Sequence, residues 1–147
     1  MISASATSTS ILKNLVLPGI GHFTILDHAK VSHSDAGNNF FLEGSDSIGK
    51  YRAEEAVRLL SELNDGVEGR ANTKTLEGIL ESQPEWITSF TIVIAHNLDQ
   101  SLLHKLSALL WKDSRYPPLV VVRSAGFLAD FYIQFHEHTS TSRCACP

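Results

Sequence analysis

Cysteine is almost missing from this 147-residue chain, and the two it has, Cys144 and Cys146, lie in the last four residues. One intervening residue would strain a disulfide between them, and two thiols do not close a zinc site. A reducing, intracellular setting, cytoplasmic or nuclear, is therefore expected. A basic surplus is absent too: 12 Lys and Arg against 16 Asp and Glu leave a formal charge of −4. Binding by phosphate neutralisation needs that surplus, so nucleic acid is not an expected partner. Long apolar runs are also lacking. The most apolar stretches, 15–26 and 102–111, contain Pro18, Gly19, His22, His104 and Lys105. Neither approaches the ~20 consecutive apolar residues that a bilayer requires, so no membrane is expected as a partner. Residues 1–10 have no arginine and no apolar secretory core, which argues against a targeting peptide.

What is present describes a globular domain. Apolar residues make up 43% and charged residues 19%, with a mean hydropathy of −0.02. The length suits one continuous core. Seven histidines invite a metal reading, but His22, His28 and His33 have no helical ligand spacing, and His136 and His138 lack a third neighbour. No metal is expected.

The hydrophobic pattern alternates in period. Ile11, Leu12, Leu15 and Val16 share a helical face that Pro18-Gly19 ends. Residues 22–27 read as a short strand ending in Asp27, followed by a polar loop over 28–39 and the apolar trio 40–42, with Phe40-Phe41 expected in the core. The clearest helix spans 50–64, on Ala53, Ala56, Val57, Leu60 and Leu63. A polar strand at 67–71 and a short helix at 75–81, ending near Pro84, come next. Residues 90–95 and 118–122 read as buried strands, separated by a helix that Asp99 caps and that runs to Trp111. Gly126 turns the chain into an edge strand or hairpin partner over 127–135, and a polar tail closes the sequence. Gly19, Gly21 and Gly126 are expected as helix stops and turns.

Strand and helix in alternation give the α/β class, a parallel sheet covered on both faces. The first strand of a doubly wound sheet has no candidate, because the chain opens on helix 1. A sheet deprived of its central strand exposes edges, so the chain alone is expected to be poorly stable or prone to association.

Residues 11–42, ILKNLVLPGIGHFTILDHAKVSHSDAGNNFFL, carry a specific resemblance. They resemble the nucleotide-binding region of the ThiF/MoeB-like fold of ubiquitin-like activating enzymes, where an xNLxLxGVGxxTxxD segment precedes an SNLNRQF loop. The variant here, continuing into SIGKYRAE, looks most like the regulatory, non-catalytic subunits of heterodimeric neddylation activating enzymes. The likeness covers roughly residues 4–135 and is densest over 11–63. It implies a Rossmann-like, ThiF-type domain over 1–136, partial for want of its first strand, with a polar tail over 137–147. It also implies a catalytic ThiF-like subunit as partner and a ubiquitin-like modifier as the protein acted on.

The departures from that pattern are concentrated where active members hold nucleotide. Residues 5–10 contain no glycine, although glycine is what lets backbone N–H groups approach phosphate. Asp27 stands at the ribose-binding acid, but Ala29 replaces the second acid. Asn38 replaces the arginine of the NRQ triplet, beside Asn39. Arg52 aligns with the family lysine, with Lys50 nearby, and Leu98 with the magnesium-associated acid, Asp99 being the closest carboxylate. The resemblance therefore implies a pseudo-active half in which Asp27, Asn38, Asn39, Lys50 and Arg52 line a vestigial pocket. No cofactor is expected on this chain; ATP and magnesium belong to the partner subunit. No thioester is expected at Cys144 or Cys146, because that chemistry needs a nucleophile in a structured region. Asn38 and Asn39 also read as ordinary loop hydrogen-bonding residues, and Asp27 as a structural remnant. The segments that precede and follow this region in such subunits are missing, so the chain reads as a fragment of one. The competing expectation is a small adenylating enzyme of the ThiF/MoeB type.

Overall fold

The computed structural model describes residues 1–137; the tail with His138, Cys144 and Cys146 lies outside the described residues. Helix α1 spans Ala6–Val16, capped by Ser5, and ends at a turn where Gly19 takes φ +88°. Strand β1, His22–Leu26, leads to a short helix α2, His33–Asn38, and a 3-10 turn at Gly44–Ser47. Helix α3, Arg52–Ser61, precedes β2, Glu68–Asn72. Helices α4, Leu76–Ser82, and α5, Pro84–Thr88, are followed by β3, Val93–His96. Helix α6, Gln100–Leu110, then leads into the hairpin of β4, Leu119–Ala125, and β5, Leu128–Gln134.

The strands follow the expected α/β plan. β1 pairs parallel with β2, β3 pairs parallel with β4, and β5 returns antiparallel on β4. Between β1 and β3 sits a single residue. Ile2 bridges Leu26 on one side and Ala95 on the other, both in the parallel sense. Its N–H donates to Ile94 O at 2.8 Å, and its carbonyl accepts from His96 N at 3.3 Å. Leu26 N donates to Met1 O, and Ser3 N to Leu26 O, on the other side. The central position for which the sequence offered no candidate is thus held by residues 1–3, because β1 and β3 each present a backbone edge that must find partners.

Strand alternation separates the apolar side chains into two layers. Phe23 and Ile25 join Leu12 and Val16 of α1 and Ala53, Ala56, Val57 and Leu60 of α3 on one face. Ile2, Leu26, Ala95, Leu119 and Val121 pack on the other face against α4, α5 and α6, including Ile79, Leu103, Leu106 and Leu110. Gly69 lets β2 approach α3: a Cβ there would stand 2.7 Å from Ser61 Oγ and 2.6 Å from the Phe23 ring.

Several local expectations change. Residues 28–39 are not all loop, since Ser32 and Asp35 form a reciprocal capping box that starts α2. Pro84 opens a helix as well as following one, as its fixed φ and missing N–H allow at a first turn. Of the phenylalanine pair expected in the core, Phe41 is buried while Phe40 is 89% exposed, its ring standing edge-on to that of Phe41 with centroids 5.3 Å apart. Among the described residues, no helix is long and apolar enough to cross a membrane, and no His/Cys/Asp/Glu cluster could hold a metal ion.

Leu106 is fully buried between α6 and the sheet. Leu106→Ala is expected to cost about 2–5 kcal/mol through lost transfer energy and the cavity left behind. Urea unfolding of the two proteins measures it, and a change within error would mean that α6 does not pack on the sheet as described.

Candidate functional site

A cleft of about 370 Å³ opens at the carboxyl ends of β1 and β3, beside the Ile2 bridge and the start of α1. This is where doubly wound sheets bind ligands, since loops diverge there to either face. Its walls include Ser3, Ser5, Asp27, Ala29, Arg52, Lys74, His96, Asn97, Leu98 and Asp99.

Asp27 is buried at the end of β1 and its carboxylate is fully engaged. It accepts from Ala4 N at 2.7 Å, Ala29 N at 2.9 Å, and Arg52 Nε and an Arg52 terminal nitrogen at 2.8 and 2.7 Å. Arg52, at the first turn of α3, reaches a second carboxylate, Asp35, at 3.1 Å. Burial would lower the guanidinium pKa, but the two carboxylates outweigh it and hold the pKa above its ordinary value. The fork geometry of arginine suits this double task better than a lysine would.

The glycine-free turn is built from hydroxyls. Ser5 Oγ accepts from Ser8 N, sits 2.9 Å from Ser8 Oγ and lies 2.8 Å from His96 Nδ1. The opposite ring nitrogen of His96 lies 2.8 Å from Ser124 Oγ on β4. A nearly buried imidazole therefore ties α1, β3 and β4 together, and burial pushes its pKa down. Asn97, in the left-handed region at φ +46°, continues the tie by exchanging hydrogen bonds with the backbone of Ser124.

The other residues singled out by sequence have different surroundings. Asn39 is buried and accepts from Thr9 Oγ1 and Phe41 N, while its amide donates to Ala4 O. It anchors the loop to α1. Asn38 is exposed at the end of α2. Lys50 pairs with Glu55 at 3.4 Å, and Glu55 in turn accepts from Ser47 Oγ. Asp27 and Arg52 therefore meet at the cleft, whereas Asn38, Asn39 and Lys50 are not among its lining residues. Asp99 lies at the rim, its carboxylate capping α6 through Ser101 N and Oγ. His96 carried no warning in the sequence, since a single histidine at a strand end has no motif.

Taken together, sheet order, crevice and acid at the end of β1 define a Rossmann-like protein whose ligand crevice is internally cross-linked. The ThiF family profile matches residues 8–147, and the chain belongs to that family. It is 48% identical over 139 residues to the NEDD8-activating enzyme E1 regulatory subunit of Xenopus laevis, covering 95% of this chain and 26% of that protein. The Gallus gallus protein of the same name is 44% identical over 94% of this chain and 25% of its own length. Arabidopsis thaliana AXR1, also a NEDD8-activating enzyme E1 regulatory subunit, is 33% identical over 94% and 25%. The chain thus spans about a quarter of the length of the curated relatives it matches. The crystal structure of selenomethionine PaaA shares the fold, with a TM-score of 0.68 at 15% identity over 81% of this chain and 37% of that one.

Two outcomes follow from the cleft. Asp27→Ala leaves Arg52 with Asp35 as its one carboxylate and takes the acceptor from Ala4 N and Ala29 N, so it is expected to destabilise by about 1–3 kcal/mol, while the double variant Asp27→Ala/Arg52→Ala loses less than the sum of the single changes. Additive losses in urea unfolding would show that the two groups do not act as a pair. His96 is a base whose folded pKa is depressed, so its contribution is fully present above the ordinary value of 6.5 and is lost as pH falls below it. The buried Met1 amine, lowered to about 5, acts in the same sense and cancels in a comparison of two variants. Stability of the parent chain should therefore fall more steeply between neutral pH and mildly acidic pH than that of His96→Gln. Parallel pH profiles would refute this.

Proposed function

We propose that this chain is the ThiF-type portion of a regulatory subunit of a NEDD8-activating enzyme, paired with a catalytic ThiF-like subunit and not itself adenylating the modifier. The observation that carries the reading is the 48% identity, over 95% of the chain, with a protein of that name. The cleft supports the second half of it. A triphosphate with magnesium needs open backbone amides and free carboxylates. Here Ser5 Oγ takes the Ser8 amide, Asp27 is saturated by four N–H donors, and Asp99 caps its helix. These residues do not suit that ligand. On this reading ATP and magnesium are held by the partner subunit, the ubiquitin-like modifier is a partner of the whole assembly, and the setting is cytoplasmic or nuclear.

Two measurements test it. Modifier-dependent ATP–pyrophosphate exchange by the purified chain is expected at background, and exchange above background would overturn the non-catalytic assignment. Co-expression with a catalytic ThiF-like subunit of a NEDD8-activating enzyme is expected to yield one complex on size-exclusion chromatography. Separate elution of the two chains would overturn the partnership.

A further inference from the structure

The Ser5–His96–Ser124 tie has the parts of a nucleophile and its base. His96 Nε2 lies 2.8 Å from Ser124 Oγ, and Nδ1 lies 2.8 Å from Ser5 Oγ. A hydroxyl within hydrogen-bond reach of a base that a third group orients is the arrangement covalent catalysis uses. Ser5 Oγ also accepts from Ser8 N at 3.2 Å and stands 2.9 Å from Ser8 Oγ. With Nδ1–H donating to Ser5 and the Ser5 proton directed at Ser8, Ser5 accepts two bonds and donates one, its full capacity. Nε2 then offers its lone pair to the Ser124 hydroxyl. Burial holds the His96 pKa below its ordinary value, so the ring is a neutral base at neutral pH. Asp27, Arg52, Lys74, Glu77 and Asp99, with His28, line the cleft beside it, and none of them bonds to the ring.

Ser124 is half-buried and borders a second cavity, of about 520 Å³. Cavities of roughly 300–1,000 Å³ hold small molecules. Leu98, Ala125, Leu128 and Ala129 give this one apolar walls suited to a short hydrocarbon chain, and Arg123 brings a positive charge to it. Asn97 clamps the nucleophile's backbone, its Nδ2 donating to Ser124 O at 2.8 Å and its Oδ1 accepting from Ser124 N at 2.9 Å. It holds a left-handed φ of +46° to do so, and such strain gathers at reactive sites.

We propose that Ser124 is an acyl-accepting nucleophile, with His96 as its general base and short-chain carboxylic esters as its substrate class. Ser124 Oγ attacks the carbonyl carbon as its proton passes to His96 Nε2. The tetrahedral intermediate collapses, the bond from carbon to the alkoxy oxygen breaks, and that oxygen takes the proton from Nε2 and leaves as an alcohol. Water then repeats the sequence on the Ser124 ester, releasing the carboxylic acid. Because no carboxylate bonds to the imidazole, hydroxyls alone support the imidazolium, and release of the acyl group is slow. The proposal is independent of the pairing with a catalytic subunit.

The test uses the 147-residue chain and p-nitrophenyl butyrate. Nitrophenolate is expected in a burst approaching one per chain, followed by a slower steady phase, and peptide mass mapping is expected to place the butyryl group on Ser124. Ser124→Ala should abolish the burst. His96→Gln should slow acylation by ~100-fold or more, since a general base contributes ~10²–10⁴. Acylation of the parent chain should slow as pH falls from neutral through the lowered His96 pKa. Circular dichroism establishes that each variant is folded, and if one is not, the mapping and the pH profile of the parent decide. Absence of a burst, or a butyryl group mapped to another residue, overturns the proposal. So does a pH profile flat into mild acid, or a folded His96→Gln that acylates at the parent rate.

Discussion

Everything in this fold hangs on the seam between β1 and β3. The two-stranded and three-stranded parts of the sheet are joined, among the described residues, through the Ile2 bridge and the backbone hydrogen bonds flanking it. Ile2 also enters the apolar layer under α4–α6, while Ala4, two residues on, lies in the layer under α1 and α3. A stretch of a few residues therefore crosses from one core to the other. Where a strand would distribute that task over several rungs, here a few hydrogen bonds carry it, each of modest net value.

The side chains above the seam reinforce it. Asp27 draws together the start of α1, the end of β1 and the start of α3 through Ala4 N and Arg52. Asn39 fixes the long loop to α1 from the opposite side. His96 ties the same helix to β3 and β4. Asp27 and His96 line the crevice in which a doubly wound sheet places its ligand, and each is satisfied by neighbouring backbone or side-chain groups. No buried side-chain nitrogen or oxygen is left without a partner among the described residues. A crevice whose donors and acceptors are already matched gives an anion little to bind.

At the far side of the sheet the balance is reversed. β2 is an edge strand too, but its Glu68 and Arg70 form an exposed ion pair and it carries no large apolar side chain. β5 has one charge, Asp130, and two aromatics, Phe131 and Tyr132. Among the described residues, the β2 edge thus carries an exposed ion pair and the β5 edge does not.

Hydrophobic patterning in the sequence was enough to place β1, α3, β3, α6 and the final hairpin, since α3 and α6 repeat at the helical period and β3 is a short run rich in β-branched residues, buried at every position. The Ser5–Ser10 stretch without glycine, and Ala29 after Asp27, were equally legible, since glycine and acid have fixed consequences for anion binding. The capping box of α2 stood in the sequence as Ser32 and Asp35 but was too short a signal to outweigh the polar loop around it. What no local pattern held was the pairing across distance. Ile2 reaches β3 over 90-odd residues of chain, as its hydrogen bond to Ile94 records, and Ser5, His96 and Ser124 come from three separate elements. The sequence by itself determined most of the elements, the layering and a first turn without glycine, all of which follow from residue type at short spacing. The tertiary structure alone decided that residues 1–3 hold the sheet together, that Asp27 is engaged by Arg52, and that His96 joins α1 to β3 and β4, because each depends on which backbone edges and polar groups the fold brings face to face.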